Sequence, residues 1–341
     1  TSQPGLRPPL PIGWGAGRGE NSPNQCSRFE PRNRESGGAP ASSPALGVRV
    51  GEKRKAESRK RKCSVSVAES SQFASALLLA AELGGWEIEV VGANPDELPY
   101  VDMTRELVKA FPRKGGEFRI EPDASSGSYF WGAGWLIWVR EFAALMTAAS
   151  QEESRKTELG RLTVSSVCVV NWPKSRWQLD QDFTVFYRAE MASPVPEISR
   201  AHDLADSIMT AIALGPFGGA IIRFTDLGRL RVQECERVYA LRTELTKCGA
   251  RVVETGDTLD VFPSALHGAE IETYDDHRIA MCFATLGLKV PGIRIEDPSC
   301  ARKTFPNFFQ KLSAPFPEGL GAPVCDATTG KILTGFELLT S

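Results

Sequence analysis

Apolar and polar positions alternate along Trp86–Val91, where Glu87 and Glu89 are interleaved with Ile88 and Val90. A period of two puts these sets on opposite faces of a strand. Residues 220–224 and 292–295 read as further short strands. Residues 104–111 carry the spacing of a short amphipathic helix. Residues 234–248 predict a longer one, with Val238, Leu241 and Leu245 on one stripe and Gly249 as its stop. Residues 251–253 and 258–262 then read as a strand pair turning at Gly256 and Asp257. The alanine- and leucine-rich residues 74–81 read as a core helix. Residues 138–200 are the least readable, with only weak helical periodicity over 139–159.

One arrangement recurs. A polar cluster stands in front of an Ala- and Leu-rich helical run at Glu69-Ser-Ser-Gln72, Asp123-Ala-Ser-Ser126, His202-Asp-Leu-Ala-Asp206 and Tyr274-Asp-Asp-His-Arg278. The clusters lie about fifty to eighty residues apart, which predicts repeated β–α units. Ser and Asp at a helix start accept from its free amide hydrogens, so capping accounts for one such residue per helix. It does not account for Asp276 and Arg278 flanking a histidine.

Composition separates the first part of the chain from the rest. Residues 1–62 are rich in Pro, Gly, Ser and Arg, poor in aliphatics, and end in two basic runs, Lys53-Arg-Lys55 and Arg59-Lys-Arg-Lys62. Such a segment buries too little apolar surface to offset its ordering entropy and is expected to be disordered. Over the whole chain 40 basic residues stand against 42 acidic ones, so net charge points to no nucleic-acid partner. No apolar run approaches the ~20 residues of a membrane-spanning helix. The eight cysteines form no C-x-x-C pair, which fits reduced thiols in a cytoplasmic chain.

The candidate chemistry is anion binding. Helix starts with free amides favour phosphate or carboxylate, and Ser70, Ser71 and Gln72 would add side-chain donors. Arg231, Arg237, Arg278 and Lys303 are cations in separate segments, suited to a ligand with both phosphate and carboxylate groups. Asp206, opening an apolar helix, and Glu234, between two arginines, are candidate proton-handling groups. There is no P-loop, no dinucleotide-binding glycine motif, no zinc spacing among His202, His267 and His277, and no nucleophile elbow.

Seven segments, in order, resemble the EPSP synthase (3-phosphoshikimate 1-carboxyvinyltransferase) family. They are Ser70-Ser-Gln-Phe-Ala-Ser-Ala-Leu-Leu, Pro99-Tyr-Val-Asp-Met-Thr104, Asp123-Ala-Ser-Ser-Gly-Ser-Tyr-Phe130, Asp206-Ser-Ile-Met-Thr210, Leu230-Arg-Val-Gln-Glu-Cys-Glu-Arg237, Tyr274-Asp-Asp-His-Arg-Ile-Ala-Met281 and Cys300-Ala-Arg-Lys-Thr-Phe-Pro306. The resemblance covers about 64–135 and 203–312. It implies an α/β (α+β) fold of repeated βαβαββ units, an inside-out α/β barrel, with substrates between two domains. It also implies a reaction: transfer of the enolpyruvyl group of phosphoenolpyruvate to the 5-hydroxyl of shikimate 3-phosphate, in aromatic amino-acid biosynthesis, with no cofactor or metal. By position, Ser70, Ser71, Gln72, Tyr100, Asp206 and Gln233 are implied for shikimate 3-phosphate. Gln72, Arg237, Arg278 and Lys303 are implied for phosphoenolpyruvate, and Asp206 and Glu234 for proton transfer. A monomer in the cytoplasm, or in a plastid for a plant source, is expected, with no membrane or nucleic-acid partner.

The sequence departs from the family pattern in places. The Lys-Ser…Arg loop and N-A-G-T-type glycine loop, which precede the Ser-Ser-Gln region in the family, are not found in residues 1–62. Arg229 stands at a usual Asn, Gln233 at a usual Lys, and Glu97 at a usual Ser. The expected organisation is a disordered segment (1–62), a remnant of the first substrate-binding domain (63–122), a C-terminal transferase domain (123–312) and a tail (313–341). A non-catalytic, anion-binding remnant is the alternative. The related UDP-N-acetylglucosamine enolpyruvyl transferase usually lacks the D-D-H-R-x-A-M and K-T-F-P forms and ranks lower.

Overall fold

The structure, a computed structural model, describes residues 61–148, 167, 169–185 and 197–340. The first basic run (53–55), most of residues 1–62, and the later part of 139–159 lie outside the described residues. Arg61 and Lys62, placed by the sequence in the basic segment, stand in strand β1 (Arg61–Ser66). β1 pairs in parallel with β2 (Trp86–Val91), and α1 (Gln72–Gly84) crosses between them. α2 (Leu98–Ala110) follows. It opens six residues before the amphipathic spacing begins, because Pro99 fits the first turn, where its missing N–H costs nothing.

This first lobe has a small core of Val67, Ala74 and Val101. The expectation of a core helix at 74–81 is corrected here. Ala74 is the one buried residue of α1, while Phe73, Leu79 and Leu83 are 70%, 58% and 97% exposed. A run apolar all round reads as buried, but among the described residues α1 has only the two-stranded β1–β2 sheet and α2 packed on it.

The second lobe is built the other way. A four-stranded sheet has the order β3 (Ile198–Ser199), β4 (Ile222–Thr225), β6 (Thr258–Val261), β5 (Val252–Thr255). β3 and β4 are parallel, and β6 is antiparallel to both of its neighbours. The β5–β6 hairpin turns at Gly256, whose φ of 56° is left-handed, as the Gly-Asp signal requires. A second parallel pair, β7 (Glu270–Ile271) with β8 (Arg294–Ile295), flanks α6. The helices are α3 (Ala124–Ala148), α4 (Ile208–Leu214), α5 (Arg237–Lys247), α6 (His277–Gly287), α7 (Phe308–Ser313) and α8 (Glu337–Thr340). The Val238, Leu241, Leu245 stripe of α5 is fully buried. α5 starts three residues later than its periodicity, since a 3-10 segment, Leu227–Val232, precedes it.

Every residue of α4 is buried, and α6 buries eight of its eleven. Small residues allow this. A Cβ on Gly132 of α3 would lie 2.6 Å from Leu214 Cδ1, so glycine there lets the leucine side chain of α4 pack directly against the α3 backbone. Hydroxyls then lace the helices together: Ser128 Oγ lies 2.8 Å from Thr210 Oγ1, which lies 3.8 Å from Cys282 Sγ. All four polar clusters singled out in the sequence stand at helix starts (α1, α3, α4 and α6). Packing brings the starts of the last three together. No helix among the described residues is long and apolar enough to cross a membrane.

Candidate functional site

Asp206 precedes α4, Arg278 lies in the first turn of α6, and Ser125 lies in the first turn of α3. Arg278 reaches both: its Nη2 is 3.2 Å from Asp206 Oδ2, and Nη1 donates to Ser125 Oγ. The second Asp206 oxygen accepts from Arg200 Nη2 at 3.1 Å. Arg200, just after β3, is 2% exposed. Tyr100 from α2 and Asp180, from a 3-10 turn over Leu179–Asp182, complete a cavity of about 130 Å³, lined by Tyr100, Asp123, Ser125, Asp180, Asp206 and Arg278 together with apolar side chains. The cavity lies between the two lobes.

Two of the three acids that line this cavity, Asp206 and Asp180, are tuned in opposite directions. Burial works to raise the Asp206 pKa, but the charges of Arg278, Arg200 and Arg237 more than reverse it, to about 2. Asp180 is raised to about 6, first by burial and then by the negative charge of Asp206. A backbone hydrogen bond from Ser207, 2.7 Å to Asp180 Oδ1, holds it in place. Burial raises the Tyr100 hydroxyl well above its ordinary range, and Asp206 and Asp180 add to this, so it stays a neutral donor.

A second cluster adjoins through Asp276 and His277, which precede Arg278 in the chain. Arg237 Nε lies 2.6 Å from Asp276 Oδ2, both groups being buried, and Arg237 also donates to Gln233 Oε1. Glu234 is held by His277 Nδ1 at 2.9 Å and by the Lys303 ammonium. Burial first, then the charge of Arg278, holds the His277 pKa below its ordinary value. The imidazole is therefore neutral at pH 7 and Nδ1–H donates to the carboxylate. Ligand atoms of Glu234, Asp276 and His277 lie within 4.8 Å of one another. Both carboxylates are already paired with cations, so the trio is a salt-bridged network rather than an open cation seat. The backbone aims these groups: Tyr274 and Asp275 are both left-handed, with φ of 54° and 53°, and Asp276 Oδ1 caps the Arg278 amide at 2.8 Å.

Ser70, Ser71 and Gln72 stand at the start of α1. Ser70 Oγ accepts from the Gln72 amide at 3.2 Å, and the Ser71 amide donates to Glu97 Oε2 at 2.6 Å. The structure thus places Tyr100, Asp206 and Arg278 on one cavity, and Gln233, Glu234, Arg237 and Lys303 in the adjoining cluster. The Ser70–Gln72 group stands beyond Glu97. Arg231, an anion-binding candidate in the sequence, is instead taken up by carboxylates: Glu236 at 2.7 Å, with Glu254 and Asp257 each at 2.8 Å. The sequence reading missed Asp180 and Arg200. Asp180 falls in its least readable stretch, and nothing local marks Arg200 as buried.

Comparison with known proteins places the chain in a family. The family model for EPSP synthase (3-phosphoshikimate 1-carboxyvinyltransferase) matches residues 46–312. A 3-phosphoshikimate 1-carboxyvinyltransferase from Sodalis glossinidius (strain morsitans) is 34% identical over 267 residues, covering 72% of this chain and 59% of that one. Its counterpart from Mannheimia succiniciproducens is 34% identical over 275 residues, with the same two coverages. This chain therefore spans less than two thirds of the length of these relatives. A solved EPSP synthase from Acinetobacter baumannii aligns with 39% of this chain and 27% of its own at 23% identity, with a TM-score of 0.30. On the family match and the identities to the two transferases, the chain belongs to the EPSP synthase family.

Proposed function

We propose that this chain carries one wall of an enolpyruvyl-transfer site, in which phosphoenolpyruvate is held by Arg237, Arg278 and Lys303 and donates its enolpyruvyl group to the 5-hydroxyl of shikimate 3-phosphate. The observation that carries this reading is the junction at Arg278. Its guanidinium is shared between Asp206 and Ser125 at the cavity, while its backbone amide is capped by Asp276 of the cluster around Glu234. An incoming phosphate or carboxylate competes with Asp206 for that guanidinium. As Arg278 turns toward the ligand, Asp206 loses its largest stabilising charge, so its pKa rises from about 2 and the carboxylate becomes a better proton acceptor. Ligand binding thus prepares Asp206 to orient the acceptor hydroxyl and take its proton. Glu234, paired with His277 and Lys303, is placed, once protonated, to pass its proton to the methylene carbon as the C–O bond to the 5-hydroxyl forms, and to take a proton back as the C–O bond to phosphate breaks and phosphate leaves, which regenerates the methylene. The cations around it stabilise negative charge as it develops on the transferring group. Ser70, Ser71, Gln72, Tyr100 and Gln233 form the acceptor side.

The repeated βαβαββ architecture belongs to the same proposal, with residues 123–312 as the more complete unit and 63–122 as part of a second. The elements that grip both phosphates in the family are not recognised in residues 1–62, so this chain by itself is expected to bind phosphoenolpyruvate but to turn over little. The test is calorimetric titration of phosphoenolpyruvate, alongside phosphate release in the presence of shikimate 3-phosphate. Binding at millimolar concentration or tighter, lost in Arg278→Ala, supports the reading; no heat from wild type sinks it. Full turnover, abolished by Asp206→Ala, would instead show that the chain holds a complete site.

A further inference from the structure

We propose that Glu97 is an internal anion: it occupies the amide seat at the start of α1 that a ligand phosphate would use, and so sets this end of the cleft against phosphorylated ligands. This deepens the enolpyruvyl-transfer reading and rests on it for the identity of the acceptor side.

The carboxylate is built into its place. Glu97 is 4% exposed and stands just before α2. Oε2 accepts from the Ser71 amide at 2.6 Å, while Oε1 lies 2.7 Å from Arg229 Nε, across the cleft in the second lobe. The amide seat is therefore filled by an oxyanion from the chain itself. The Arg229 contact is a charge contact rather than an aligned hydrogen bond: its Nε–H is buried and points at no acceptor. A donor held in that state is available to an anion better placed than Glu97. A phosphate arriving at the Ser71 amide would have to displace a desolvated carboxylate or sit beside it, and like charges at contact distance in a buried setting repel strongly. Ser at position 97 would leave the amide and Arg229 both open. Two of the three substitutions that depart from the family pattern, Glu97 and Arg229, are brought together as partners by the structure. One charge has come with its counter-charge, which keeps the buried carboxylate tolerable.

The roles of the two residues are separable. Removing Glu97 frees both the Ser71 amide and Arg229, so anion affinity should rise most in that variant. Removing Arg229 as well should reverse much of that rise. Inorganic phosphate and shikimate 3-phosphate are titrated by calorimetry into the wild-type chain, Glu97→Ser, Glu97→Gln and the double variant Glu97→Ser/Arg229→Asn. Glu97→Ser is expected to bind both ligands at least about tenfold more tightly than wild type, the scale of one additional charge-assisted hydrogen bond to the anion. Glu97→Gln, which keeps the shape and the acceptor but not the charge, should show a smaller increase, and it carries the test if Glu97→Ser fails to fold by circular dichroism. Equal phosphate affinity in wild type and both single variants, within twofold, overturns the proposal, as does a double variant that binds better than Glu97→Ser. Phosphoenolpyruvate is titrated in parallel. Its failure to bind would overturn the enolpyruvyl reading, while the inorganic phosphate series still decides the role of Glu97.

Discussion

The two lobes use similar apolar sequences to opposite effect. α1, rich in Ala and Leu, and α4, rich in Ala and Ile, are both apolar runs opened by a polar cluster, yet α4 buries every side chain and α1 buries one. The difference lies in what surrounds them. α4 sits among α3, α5 and α6, with glycine and hydroxyl contacts that let the helices approach closely. Among the described residues α1 packs on two short strands and one helix. Hydrophobicity records what a segment can bury; its neighbours decide what it does bury. The lobes should differ correspondingly in local stability, with the amides of β1 and α1 exchanging through small openings and those of α4 and α6 only through near-global unfolding.

The largest expected effect is in the second lobe. Asp276→Ala removes a fully buried carboxylate, strands the Arg237 guanidinium and uncaps the Arg278 amide. It should cost about 3–5 kcal/mol in denaturant unfolding, the cost of leaving one buried charge unpaired. A loss no larger than that of a surface substitution would show that the site network is not built into the core. Next comes a matched pair. Leu241→Ala, in the α5 stripe, should cost about 2–5 kcal/mol, whereas Leu79→Ala, on exposed α1, should stay within about 0.5 kcal/mol. Similar losses at both sites would erase the contrast between the lobes.

A smaller effect tests the tuning of the acids. The folded-state pKa of Asp180 is raised from 3.8 to about 6, so its charge lowers stability as pH rises through that window, and the penalty is fully present above it. Asp180→Asn keeps an oxygen for the Ser207 amide and removes the charge. The variant should therefore melt higher than wild type at pH 8, with the gap closing near pH 4. Asp206, whose pKa is lowered to about 2, contributes in the opposite sense: its stabilisation is present above 3.8 and lost as pH falls through 2. The two windows barely overlap, so thermal melts across pH separate them. The smallest expected change in stability is at the edge of the site. Lys303 is 62% exposed, and Lys303→Ala should leave stability within about 0.5 kcal/mol. Under the proposed function it should still weaken phosphoenolpyruvate binding by about tenfold, since a charge-assisted hydrogen bond to the ligand is removed.

Much of the second lobe was legible in the sequence because its signals are local. The α5 stripe, the Gly249 stop and the Gly256 hairpin each depend on neighbours within a few residues. The charged residues of the motifs were legible as well, but their pairings were not. Arg231 and Arg278 look alike as arginines in family segments; the structure gives the first to three carboxylates of its own lobe and the second to the cavity. Asp180 and Arg200 take their meaning from the start of α4, where folding sets one beside Ser207 and the other against Asp206. The burial of such groups follows from packing, which no local pattern encodes. The exposure of α1 was illegible for the same reason, since composition states its preference and not its company.

The left-handed pair Tyr274 and Asp275 has a consequence for anyone seeking to engineer this protein. Each holds a backbone conformation costing about 1–2 kcal/mol for a residue with a side chain. Replacing Asp275 with glycine would remove that cost, and a screen for heat resistance would favour the change. The same substitution would loosen the bend from which Asp276, His277 and Arg278 project. Selection on melting temperature alone would therefore sacrifice the precision with which three charged side chains are aimed, and variants at these two positions should be ranked by ligand affinity before they are ranked by stability.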